Sequence, residues 1–180
     1  YTHTSVALHD AIKGAMLSCI LSDTLAFRSP TTTPHDKAVA EKLASDLGVS
    51  IHDLADAMFA AKSDVSAFSD AELLRMDSKE YTVAGKELRV SVLETTSPKV
   101  VLDRKASLMK SMEGVAKEDG ADQVLLFVVD ILREEATLLV PNDLVKRMAE
   151  ASFGAKVSGD TVVLPGVMSR KKQILPALKL

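Results

Sequence analysis

A single cysteine, Cys19, is all the thiol chemistry that the sequence offers. One thiol excludes an internal disulfide and fits a reducing, cytoplasmic compartment. Its neighbours in "AMLSCIL" are apolar, so a buried and inert side chain is expected there. No run of about 18 apolar residues occurs, so no membrane span is expected. The opening "YTHTSVALHD" is polar and has no basic start, so it does not read as a signal peptide. The dinucleotide fingerprint G-x-G-x-x-G, the Walker loop and the G-x-S-x-G elbow are all missing. The four histidines, His3, His9, His35 and His52, lack zinc-like spacing, and none pairs with a cysteine. Ser, His and Asp all occur, but nothing orders them into a triad. Acidic residues are absent from Thr161 to the C-terminus.

What is present is an ordinary globular balance: 180 residues, net charge −3, 47% hydrophobic and 26% charged. That is enough for one well-filled core, or one domain and part of another. The chain begins at Tyr1 without a methionine, which is expected of a piece of a longer protein. His9 to Ser22 reads as an apolar helix running into "SDTLAFRSPTTTP", where Pro30 and Pro34 forbid its continuation. This is the expected domain boundary or hinge. Thr33, Pro34, Asp36 and Gly48 predict a capped helix, and Ser50 with Asp53 opens another. "DAELLRM" is a short helix. "KEYTVAGKELRVSVLETT" alternates around Ala84-Gly85 and predicts a hairpin. One long amphipathic helix is expected from Pro98 to about Asp119, with Val101, Leu108, Met112 and Val115 on its inner face. "QVLLFVVDIL" should be a strand buried on both sides, with "ATLLVPN" as its antiparallel neighbour. Asn142 caps a helix to about Phe153, and "AKVSGDTVVLPG" predicts a pair of short strands. The sum is an α/β (α+β) fold, a mixed β-sheet with helices packed on it.

Two features carry possible chemistry. Asp23 is the sole acidic residue between Asp10 and Asp36, at the end of an apolar segment. It reads as a helix cap or as one ligand of a metal ion. The other is the island "GVMSRKKQILP", Gly166 to Pro176, with Arg170, Lys171 and Lys172 in a row. Most charge runs are solvated faces. Here apolar flanks should anchor the run against the core, so that Arg170 offers a planar fork to phosphate oxygens and lysine a point charge. Ser169 and the amides after Gly166 are further candidate donors. In an extended strand Arg170 and Lys171 would point apart, so a shared ligand requires a turn. Chemistry alone leaves anion binding and solvated surface evenly balanced.

"LSDTLAFRSPTTT" (Leu21 to Thr33) and "GVMSRKKQILP" together resemble the signatures of the family II, manganese-dependent inorganic pyrophosphatases of the DHH superfamily. "MDSKEYTV" and "LLFVVDIL" fall between them in that family's order. The resemblance implies that residues 1–32 are the end of a DHH domain with its linker, and 33–180 a DHHA2 domain. It implies that Asp23 ligates metal, that Lys79, Arg170 and Lys171 bind pyrophosphate or phosphate, and that Lys172 supports them. It also implies Mn²⁺ (or Co²⁺ or Mg²⁺) held mostly outside this chain, and a homodimer of the full-length enzyme. The "DHH" motif and the other metal ligands are absent, so no complete catalytic set is expected and the fragment should be inactive alone. An exopolyphosphatase of the same architecture, and a non-catalytic phosphate- or partner-binding module, remain open. Nucleic acid is disfavoured, because "SRKK" lacks interleaved aromatics and the chain is not basic.

Overall fold

The structure, a computed structural model, describes residues 8–180; His3 lies outside them. The chain divides into two compact units, the first ending at Lys62 and the second running Ser63–Leu180.

The first unit is helical. His9 caps α1 (Asp10–Asp23), its Nδ1 accepting from the Ala11 amide at 3.2 Å. Only Leu17 and Leu21 of α1 are fully buried. Cys19 follows Leu17 by about 200° around the helix and is exposed, contrary to the buried thiol expected from its apolar neighbours. Composition around a residue does not decide which helix face it occupies. Thr33 and Asp36 form a reciprocal capping box on α2 (Pro34–Leu47), and Gly48 ends it at φ 66°. The Ser50 hydroxyl accepts from the Asp53 amide at the start of α3 (Ile51–Ser63).

The second unit holds a five-stranded sheet in the order β1-β2-β3-β4-β5. Ser69 and Glu72 box the start of α4 (Asp70–Met76). β1 (Ser78–Val83) and β2 (Lys86–Thr95) form the expected hairpin, with Ala84 and Gly85 both at positive φ, 48° and 78°. β2 runs parallel to β3 (Gln123–Asp130), which requires a crossover, and the helices supply it. Instead of one long helix there are two, α5 (Pro98–Leu102) and α6 (Lys105–Glu118). The break falls where Arg104 turns away to bind Asp70 at 2.6 Å and the carbonyls of Val65 and Phe68. β4 (Glu135–Leu139) is antiparallel to β3, and β5 (Thr161–Pro165) to β4. Residues 155–158 are not the second strand of a pair: β5 pairs with β4 instead, and its outer edge carries no further strand among the described residues. Asn142 caps α7 (Asp143–Phe153) as expected.

All of β3 is buried, which makes it the centre of two layers. On one face Val124, Leu126 and Val128 join Leu108, Met112 and Val115 of α6 and Leu73 and Leu74 of α4. On the other, Phe127 meets Phe153 of α7 edge to face, centroids 6.1 Å apart. This is a mixed sheet with helices on both faces, an α/β fold.

Candidate anion-binding site

The basic island folds as a turn, which is what shared use of its cations requires. After β5, Gly166 takes φ 74° and donates its amide to the Glu134 carbonyl at 2.8 Å. Residues Arg170–Ile174 form a π-helical turn, capped by Ser169, whose hydroxyl accepts from the Lys172 amide. Met168 and Ile174 are buried at its two ends and anchor it against the core. Gln173 knits the loop together. Its Oε1 accepts from the Met168 and Ser169 amides, both at 2.9 Å, and its Nε2 donates to the Gly166 carbonyl at 2.6 Å. Of the amides that were candidate anion donors, those of Met168 and Ser169 are taken by Gln173 inside the loop, and that of Gly166 by the Glu134 carbonyl.

Arg170 reaches across the chain to the first hairpin. Its Nη1 donates to the Asp77 carbonyl at 2.8 Å and the Val90 carbonyl at 3.4 Å, and its Nη2 to Asp77 Oδ1 at 2.8 Å. These anchors flank Lys79: Asp77 precedes it by two residues, and Val90 is its register partner across the hairpin. Ser91 donates its hydroxyl to the Leu74 carbonyl, so Ser91 and its partner Ser78 face α4. Strand alternation then turns Lys79 toward the opposite face. Arg170 thus binds the backbone at the end of the hairpin from which Lys79, 91 positions earlier in sequence, projects. Lys79 and Lys171 are exposed, and neither side chain makes a hydrogen bond or ion pair with a described residue. Lys172 is engaged elsewhere. Three surface cavities, of about 440, 490 and 590 Å³, are lined by none of Lys79, Arg170 and Lys171.

Asp23 belongs to the first unit. It is the last residue of α1 and exposed, and its carboxylate makes no hydrogen bond with a described residue. The chain turns sharply after it, with Leu25, Ala26 and Phe27 at φ 50°, 49° and 71°. Left-handed backbone costs about 1–2 kcal/mol per non-glycine residue, so this segment needs support. Buried Thr24 supplies it: its hydroxyl donates to the Ile20 carbonyl at 2.6 Å and accepts from the Phe27 amide, while its carbonyl takes the Ser29 amide at 2.9 Å. No group of three His, Cys, Asp or Glu among the described residues is arranged to hold a metal ion. His9 is a cap, and His52 pairs with Asp56 at 3.2 Å on the surface. The described residues therefore do not by themselves gather a metal-ligand set around Asp23.

The DHHA2 domain family matches residues 56–180. The chain belongs to the DHHA2 family. Among curated relatives, it is 43% identical over 169 residues to a protein of Deinococcus radiodurans, covering 91% of this chain and 54% of that one. It is 38% identical to a protein of Methanocaldococcus jannaschii, with coverage of 93% and 54%. With a protein of Lactobacillus gasseri the figures are 35%, 99% and 58%. The second is named manganese-dependent inorganic pyrophosphatase, and the first and third carry the same name qualified as probable. A crystal structure from Methanococcus jannaschii, assigned as a family II inorganic pyrophosphatase, matches with a TM-score of 0.84 and 36% identity, covering 97% of this chain and 56% of that one. The DHHA2 chain thus spans somewhat more than half the length of the curated relatives that it matches.

Sequence reasoning named Lys79, Arg170 and Lys171 and did not name Asp77 or Gln173, which hold Arg170 and its loop in place. Asp77 stands in the quoted "MDSKEYTV", yet its partner lies 93 positions away. Gln173 ends "SRKKQ", where its role in closing the loop is invisible without the loop's shape.

Proposed function

We propose that this DHHA2 chain is the substrate-clamping part of a longer, manganese-dependent inorganic pyrophosphatase, which converts diphosphate and water to two phosphates. The observation that supports the reading is the bonding of Arg170 to Asp77 and Val90, at the end of the β1–β2 hairpin from which Lys79 projects, with Lys171 next to Arg170 in the same turn. The relatives' names supply the substrate. A guanidinium grips a phosphoryl group through paired hydrogen bonds, and the two ammonium groups add point charges. Together they neutralise charge as it gathers on the departing phosphate. Asp23 contributes one oxygen ligand to the Mn²⁺ of the longer protein. One carboxylate does not hold a catalytic metal, so the chain by itself binds diphosphate without turning it over. Residues 1–32 are read as the end of a DHH domain with its linker and 33–180 as the DHHA2 domain. The longer protein is read as a cytoplasmic homodimer; in the described residues no helix is long and apolar enough to cross a membrane.

Calorimetric titration of the 180-residue chain with pyrophosphate, alongside a phosphate-release assay in Mn²⁺, tests the reading. Arg170→Ala and Lys171→Ala should each weaken binding about tenfold, on the order of one lost charge-assisted hydrogen bond. No phosphate should be released. Unchanged affinity in both variants, or substantial turnover by the chain, would sink the proposal. Tighter binding of tripolyphosphate than of diphosphate would point instead to a polyphosphatase.

A further inference from the structure

Arg170 does not stand free in the way that a simple cationic clamp would. Its side chain is 15% exposed, and it spends its Nη1 donors on two backbone carbonyls and one Nη2 donor on the Asp77 carboxylate. What remains is the Nε–H and the second Nη2–H. With Asp77 taking Nη1 through its carbonyl and Nη2 through its carboxylate, as an end-on pair, the remaining Nη2–H of a planar guanidinium runs parallel to the Nε–H, and Nε has no partner among the described residues. That pair is the side-on fork through which arginine binds two oxygens of one oxyanion.

The geometry points to Asp77 as a positioning residue for anion recognition. It grips the end-on fork of Arg170 with its carbonyl and carboxylate together, so that the side-on fork alone is presented, in one orientation, beside Lys79. This deepens the anion-clamp reading and rests on it. Preorganisation of this kind matters because a free arginine side chain carries several rotatable bonds whose freedom must otherwise be lost on binding. The opposite role is also chemically conceivable: a carboxylate that competes with the anion for the guanidinium. The two differ in sign. A positioning carboxylate weakens anion binding when removed, and a competing one strengthens it. The donor count favours positioning, because Asp77 and the incoming anion use different N–H groups.

The experiment is a double-mutant cycle in the 180-residue chain, read by calorimetric titration with inorganic pyrophosphate. Asp77→Ala should weaken binding by five- to tenfold, and Asp77→Asn, which keeps an oxygen for Nη2, should stay within threefold of the unmodified chain. In an Arg170→Lys background Asp77→Ala should change nothing further, because an ammonium has no fork to orient. A merely structural role would lower affinity equally in both backgrounds, and that result overturns the inference. So does tighter binding by Asp77→Ala. If Asp77→Ala does not fold, Asp77→Asn and Asp77→Ser complete the cycle, with Ser expected to be the weaker binder. The underlying reading fails separately, and recognisably, if the unmodified chain binds no pyrophosphate or Arg170→Lys binds as tightly as the unmodified chain.

Discussion

Asp119 holds three elements of the second unit together, and its removal has a calculable outcome. It caps the C-terminal end of α6 and accepts from Arg75 of α4, with Nε at 3.0 Å and Nη2 at 2.9 Å. Arg89 of β2 brings its Nε to 2.7 Å from the second oxygen, close enough for an ion pair although the N–H is not aimed for a hydrogen bond. Arg89 also pairs with Glu80 on β1, and Arg75 with Glu118 at 2.7 Å. The side chains of Asp119 and Arg89 are 16% and 14% exposed. Breaking a fully buried pair costs about 3–5 kcal/mol, because one charge is stranded. Here Glu80 still serves Arg89, and Arg75 is a third exposed, so about 2 kcal/mol is expected for Asp119→Asn. For a unit of this size that lowers the melting temperature by roughly 5–10 °C. The sign with pH is fixed. Hydrogen bonding from Arg75, and then the Arg89 charge, hold the Asp119 pKa below its ordinary value, against the effect of burial. Its stabilisation is therefore complete above the usual carboxylate pKa of about 4 and is lost as pH falls through the folded value. Calorimetric melts of both proteins should show a gap at pH 7 that closes by about pH 2. A gap under 2 °C at pH 7, or one that persists unchanged in acid, would refute the reasoning.

Three further outcomes follow from local geometry. Ala84 sits at φ 48° in the first position of the β1–β2 turn, so Ala84→Asn, restoring the favoured Asn-Gly pair, should raise stability by about 1 kcal/mol in a denaturant titration. Asn142 accepts from the Val145 amide at 3.0 Å and donates to the buried Gln123 side chain at 2.8 Å; Asn142→Ala should lose about 1–2 kcal/mol in the same assay. Ile174 is fully buried beneath the π-helical turn, so Ile174→Ala should cost about 2–5 kcal/mol and, because the turn carries Arg170, also weaken pyrophosphate binding. Unchanged affinity in a folded Ile174→Ala protein would refute the coupling between this buried anchor and the Arg170 turn.

Elements bounded by short-range chemistry were legible. The capping pair Thr33 and Asp36, the Ala84-Gly85 hairpin, the Asn142 cap and the wholly apolar β3 each depend on residues within a few positions. Errors arose where a distant partner intervened. Arg104 leaves the helical path to reach Asp70, which splits α5 from α6. Residues 155–158 have strand-like alternation, but β5 takes β4, not them, as its partner. Cys19 has apolar neighbours, yet lies away from the face that Leu17 and Leu21 bury.

By itself the sequence determined the mixed sheet, the helix caps and the identity of the cations, because periodicity and capping are local and charge is a property of the residue. Only the tertiary structure decided what those cations can do. The π-helical turn brings Arg170 to the hairpin that carries Lys79, and Asp77 selects which of its donors stay free. That choice rests on hydrogen bonds spanning 93 positions, and a pattern read along the chain contains no term for contacts made across it.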